Sequence, residues 1–104
     1  MKKTSYKDST TPEIVRSLGE NYKEYRLRKQ LTQGEVAAET GLTIATISKF
    51  ESGTAANISF STFLRLLKAI GRIDDMSWVL PAVADHSQEE GERKVRRIRR
   101  KKKA

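Results

Sequence analysis

The chain has no cysteine and a single histidine. The first absence excludes disulfides, thiolate metal sites and cysteine nucleophiles, and it suits a reducing compartment. His86 falls in a polar stretch after residue 81, so neither a histidine-based triad nor a histidine-rich metal site can be assembled. No apolar run approaches the roughly 20 residues needed to span a bilayer. The polar, basic start MKKTSYKDST is not followed by the apolar core of a signal peptide. A cytoplasmic location without membrane association is expected. There is no G-x-x-x-x-G-K-[ST] phosphate loop. The acidic pairs Asp74-Asp75 and Glu89-Glu90 read as cap and linker charge, not as paired catalytic carboxylates. The expectation is no enzymatic activity, no cofactor and no metal.

What the chain does contain is a dense run of helix signals over residues 31–53, LTQGEVAAETGLTIATISKFESG. Thr32 and Glu35 form a T-x-x-E capping box, and Leu31 and Val36 flank it at the spacing of a hydrophobic staple. Gly41 supplies the positive φ that ends this helix. The pattern then repeats, with Thr43 as N-cap, Leu42 and Ile47 as a second staple and Gly53 as the stop. Two helices of about eight residues each are too short to stand alone and must be held by tertiary packing.

On a 3.6-residue wheel the second helix divides in two. Ile47 and Phe50 face a core, whereas Ile44, Ala45, Ser48 and Lys49 lie opposite. Three of those four are small or uncharged. A solvated face usually carries Glu, Lys and Arg. Ser can instead hydrogen-bond base edges, Ala or Ile can meet thymine methyls, and Lys can meet guanine or phosphate. On the wheel alone, a slightly apolar surface helix in some other small bundle is an equal alternative.

These residues resemble the helix-turn-helix of the Cro/CI-type (XRE-like) bacterial and phage repressors. The matching positions are Leu31-Thr32-Gln33, Glu35-Val36-Ala37, Gly41, Thr46-Ile47-Ser48 and Phe50-Glu51-x-Gly53, and the likeness extends over about residues 18–80. The resemblance implies an all-α, compact, five-helix lambda-repressor-like domain with its helix-turn-helix at about 32–52. It implies a phosphate contact by Gln33 at the start of the first motif helix and an ion pair between Arg26 and Glu51 tying the opening helix to the recognition helix. Helix 43–52 would enter the major groove. Ala45, Ser48 and Lys49 would contact base edges, Ile44 a thymine methyl, and Thr43 and Thr46 phosphates, with Arg28 a weaker phosphate candidate. Relatives often carry Gln or another polar residue where Ile44 stands, so adenine readout gives way to a methyl preference. Glycine is common in the family where Gln30 sits, so that turn costs up to about 1 kcal/mol in strain.

The flanking chain supplies the remaining expectations. Residues 1–10 read as a mobile arm. Thr11-Pro12-Glu13 reads as a helix start with cap, N1 proline and early acid. Ile14, Val15, Leu18, Tyr22 and Tyr25 carry an apolar face toward Leu27, across a Gly19 that interrupts or merely weakens the helix. Thr54–Ile58 reads as a loop whose backbone amides meet phosphate. Ser59 caps a fourth helix with Phe60, Phe63, Leu64, Leu66, Leu67 and Ile70 on a broad apolar face, ended by Gly71. Asp74 or Asp75 opens a short fifth helix stopped by Pro81, with Met76, Trp78, Val79 and Leu80 as part core and part dimer seam. The folded domain is thus expected over 11–81, with linker and basic tail over 82–104.

Of the 21 basic residues, nine lie in 93–103 without one acid, leaving 12 against 13 acidic residues elsewhere. The net charge of +8 therefore belongs to the tail. Val95 and Ile98 are too few to build a core there, so disorder is expected. As a phosphate clamp the tail would add roughly 0.9 to the salt slope per phosphate neutralised; a partner-binding or solubilising tail are the alternatives.

Together these readings describe a dimeric, sequence-specific repressor of double-stranded DNA, with homodimerisation placing two copies on a palindromic operator. The A-T-I-S-x-F-E segment and compact length further resemble the HipB-type antitoxins, which implies autoregulation and a HipA-like kinase toxin as partner. The rivals are a protein-interaction scaffold or coactivator on the same fold, and a non-specific nucleic-acid binder acting through its tail.

Overall fold

The computed structural model describes residues 5–55 and 57–83. The first four residues of the arm, His86, the acidic block 88–92 and the basic run 93–103 lie outside the described residues. Among those described the chain is all-helical: α1 Thr11–Arg28, α2 Gln33–Thr40, α3 Ile44–Ser52, α4 Phe60–Ala69, a 3-10 turn Ile73–Asp75 and α5 Met76–Val79. Residues up to Ile73 form one compact unit and those from Asp74 a second.

α1 starts one residue earlier than its proline suggests. Thr10 is the N-cap, its hydroxyl accepting from the Glu13 amide at 3.3 Å while Glu13 Oε1 accepts from the Thr10 amide at 2.7 Å. The reciprocal box needs its acid three residues after the cap, and only Thr10 satisfies that spacing. Pro12, at N2, has no amide to waste there. The helix runs unbroken through Gly19 to Arg28, 18 residues in all. Gly19 is buried, and α1 crosses α3 at this point.

The core gathers Tyr22 from α1, Val36 from α2, Ile47 and Phe50 from α3, and Leu66 and Ile70 from α4 and its end. Val36 and Ile47 are the distal halves of the two staples, and each is fully buried. Burying an aliphatic side chain of this size contributes roughly 1.5–3 kcal/mol, which is what holds helices of eight and nine residues in place. Phe50 is the hub: its ring meets Tyr22 edge-on at 5.6 Å and Phe63 edge-on at 6.1 Å. The Tyr22 hydroxyl donates to the Leu66 carbonyl at 2.9 Å, joining α1 to α4. Tyr25 is half-buried and lies under the Arg72 guanidinium, 4.8 Å from the ring centre.

Two apolar residues depart from the expected faces. Leu27 is 54% exposed and Phe60 65% exposed. Leu27 sits between the inward positions occupied by Tyr22 and Arg26 and the end of α1, so its rotation carries it outward. Phe60 is the first residue of α4, ahead of the turn that packs through Phe63 and Leu66.

In the second unit, α5 is one turn long. The 3-10 turn leads into it, and Asp75 stands at its N-cap in helical conformation without a side-chain cap bond. Neither aspartate therefore opens the helix in the expected way; Ser77 Oγ donates to the Asp74 carbonyl at 2.8 Å instead. Met76 is half-buried. Trp78 and Leu80, expected to be partly core, are 82% and 87% exposed. A four-residue helix stopped before Pro81 has too little length to bury both.

Candidate nucleic-acid interface

The turn between α2 and α3 is laced by local bonds. Gly41 takes φ 77° and donates its amide to the Ala37 carbonyl at 2.9 Å. Thr40 Oγ1 donates to the Val36 carbonyl and accepts from the Leu42 amide. Thr43 then caps α3, its hydroxyl accepting from the Thr46 amide at 3.1 Å and lying 2.9 Å from the Thr46 hydroxyl. A turn closed this way fixes the angle at which α3 leaves α2.

α3 presents its two faces as the wheel divides them. Ile47 and Phe50 are buried, while Ala45, Ser48 and Lys49 are exposed and Ile44 is 52% exposed. Thr43 is exposed and Thr46 half-buried at the same end of the helix. A Cβ built on Gly34 would lie 3.9 Å from Ile44 Cδ1, so the start of α2, with Gln33, adjoins the start of α3. Seven of the expected contact residues, Gln33, Thr43, Ile44, Ala45, Thr46, Ser48 and Lys49, thus share one region. Arg28 is exposed in the last turn of α1, and among the described residues no hydrogen bond or ion pair ties it to that region.

At the far end of α3 two amides of the expected phosphate-binding loop are already taken. The Thr54 and Ala55 amides donate to the Lys49 carbonyl at 3.0 and 3.1 Å. They close the helix and are not open to a phosphate.

Behind the exposed face sits a buried ion pair. Arg26 Nε donates to Glu51 Oε2 at 2.7 Å, and Arg26 Nη2 to Oε1 at 2.8 Å. Arg26 Nη1 reaches the Leu31 carbonyl at 2.7 Å, so one guanidinium joins α1, the turn before α2, and α3. Only 6% of Arg26 and 5% of Glu51 remain exposed. The hydrogen bonds that Arg26 donates to Glu51 raise the guanidinium pKa further, against the opposing effect of burial. A two-pronged pairing of planar groups sets orientation as well as distance. Glu51 accepts a third bond, from Gln33 Nε2 at 3.1 Å. The Gln33–Glu51 bond has no local signature, because the residues are 18 apart.

A family model described as helix-turn-helix matches residues 23–74, half of the chain. No curated protein matches it. Among the described residues no helix is long and apolar enough to cross a membrane.

Proposed function

Since the chain belongs to the helix-turn-helix family of XRE-like, Cro/CI-type DNA-binding transcription regulators, we propose that it is a sequence-specific repressor that binds a palindromic operator as a homodimer. The observation that carries this reading is the outward face of α3. Ile44, Ala45, Ser48 and Lys49 stand exposed on a helix whose opposite side is anchored by Ile47, Phe50 and the bonded Glu51. A rigid helix with short side chains on its free face can enter a major groove without steric conflict, and these side chains supply both hydrogen bonds and apolar contact.

In this reading Ala45, Ser48 and Lys49 meet base edges, and Ile44 meets a thymine methyl. Gln33, Thr43 and Thr46 hold phosphates at the adjoining starts of α2 and α3, with Arg28 as a peripheral phosphate contact. Support for a dimer comes from Trp78, Val79 and Leu80, three consecutive exposed apolar residues of the kind that associating surfaces bury. Each protomer would take one half-site about one helical turn from the other.

The likeness of the ATISKFE segment to HipB-type antitoxins extends the proposal to autoregulation beside a HipA-like kinase toxin. Co-expression with such a kinase and co-purification tests that extension independently of DNA binding.

The decisive experiment is selection of bound sequences from a random duplex pool at near-physiological salt. Recovery of a two-fold symmetric motif is the expected result. Recovery of no motif rejects the repressor reading in favour of an interaction module, and retention that vanishes on removing residues 84–104 assigns binding to the tail.

A further inference from the structure

We propose that Glu51 is a positioning residue for DNA binding, which orients the Gln33 carboxamide toward a single backbone phosphate. The inference rests on the reading of Gln33 as a phosphate contact and adds how that contact is made. Gln33 Nε2 donates to Glu51 Oε1 at 3.1 Å, and a carboxylate can only accept. The reversed amide would bring its oxygen against the carboxylate, so Glu51 selects one of the two amide orientations. An amide nitrogen carries two hydrogens. One is committed inward, and the other is left for an external acceptor.

Two further features make the arrangement directional. Ile44, the α3 residue beside the start of α2, has no polar atom to turn the amide the other way. Arg26 meets both carboxylate oxygens of Glu51, so a phosphate approaching Gln33 faces a neutralised pair instead of a bare negative charge. Glutamine otherwise loses considerable rotamer freedom on binding; a side chain already held in place loses less, and the contact strengthens accordingly.

The test uses the full chain and operator duplexes in which single phosphates are replaced, one at a time, by neutral methylphosphonates. In the wild-type protein one replacement should weaken binding about tenfold, as expected for loss of one charge-assisted hydrogen bond. That penalty should vanish in Gln33→Ala. If no replacement behaves this way, the Gln33 contact itself is rejected, and the positioning role with it.

Given such a phosphate, the double variant Arg26→Met, Glu51→Met exchanges the buried pair for apolar volume, a replacement that folded proteins tolerate. The penalty at that phosphate should fall toward onefold while penalties at other phosphates persist. A purely structural role for Glu51 would weaken all duplexes alike. A folded double variant that keeps the full tenfold penalty overturns the proposal. Independently of any variant, one Gln33 side-chain amide proton of the free wild-type protein should exchange with solvent more slowly by NMR than those of the exposed Gln30; exchange as fast as that of Gln30 overturns it.

Discussion

Gly19 lies directly against the Phe50 carbonyl: a Cβ added there would stand 1.9 Å from that oxygen and 3.0 Å from its carbon. Both partners are backbone, so neither can swing aside. Replacing glycine by alanine in a helix interior ordinarily gains about 1 kcal/mol. Here the sign should reverse, because α1 and α3 must separate to admit the methyl group. Gly19→Ala is expected to lose roughly 2 kcal/mol, in the range typical of overpacked cores, measured as a lower urea midpoint at unchanged slope. A variant as stable as wild type would mean the crossing is looser than described.

Tyr22 connects stability to alkaline pH. Burial, with the Glu51 charge as a second contribution, raises its pKa above the ordinary 10.0. The protonated hydroxyl is the form that donates to Leu66. With the folded pKa above the unfolded one, the contribution is complete below pH 10.0 and is lost as pH rises through the folded value. Tyr22→Phe should cost about 1 kcal/mol at neutral pH, leaving the Leu66 carbonyl without this donor. It should also remove part of the stability decline above pH 10.0. Parallel declines in wild type and variant would contradict the assignment.

Gln30 has φ 58°, the one positive φ at a non-glycine position among the described residues. Its amide donates to the Leu27 carbonyl and helps turn the chain from α1 toward α2. Gln30→Gly should relieve the strain and, after the added freedom of the unfolded chain is subtracted, stabilise by up to about 1 kcal/mol. Thermal melts of the two proteins decide it, with a lower midpoint for the glycine variant as the contrary result.

The proposed DNA roles separate by how they respond to sequence. Lys49→Ala should reduce discrimination between operator and altered operator by about 1–3 kcal/mol. Gln33→Ala should weaken all duplexes similarly and leave the salt slope unchanged, because a neutral amide displaces no counterion. Binding isotherms on specific and random duplexes at several salt concentrations distinguish the two. Equal losses on both duplexes for Lys49→Ala would remove it from the base-reading set.

Much of this molecule is legible along the chain. The capping box at Thr32 and Glu35, the cap at Thr43 and the stops at Gly41 and Gly53 all appear where residue types and spacing put them. Helix starts and ends depend on bonds between residues three to five apart, and those are sequence neighbours whatever the rest of the protein does. Thr10 and Thr11 show the limit even there: two adjacent hydroxyls compete, and the acid at position 13 decides for the first. The division of α3 into inner and outer faces follows from its period alone.

Other features belong to no local pattern. The contact between Gly19 and Phe50 exists because two helices cross at that residue. The bond from Tyr22 to Leu66 joins residues 44 apart, and the pairing of Arg26 with Glu51 joins residues 25 apart. The family resemblance anticipates that last pair; its attachment to Gln33 it does not. Sequence by itself determined the first four helices, the caps of α2, α3 and α4 and the outward face of α3, because short-range hydrogen bonds and rotation per residue suffice for these. Tertiary structure alone decided how closely α1 approaches α3 and which way the Gln33 amide turns, because both depend on distances between segments that the chain leaves independent until the core closes.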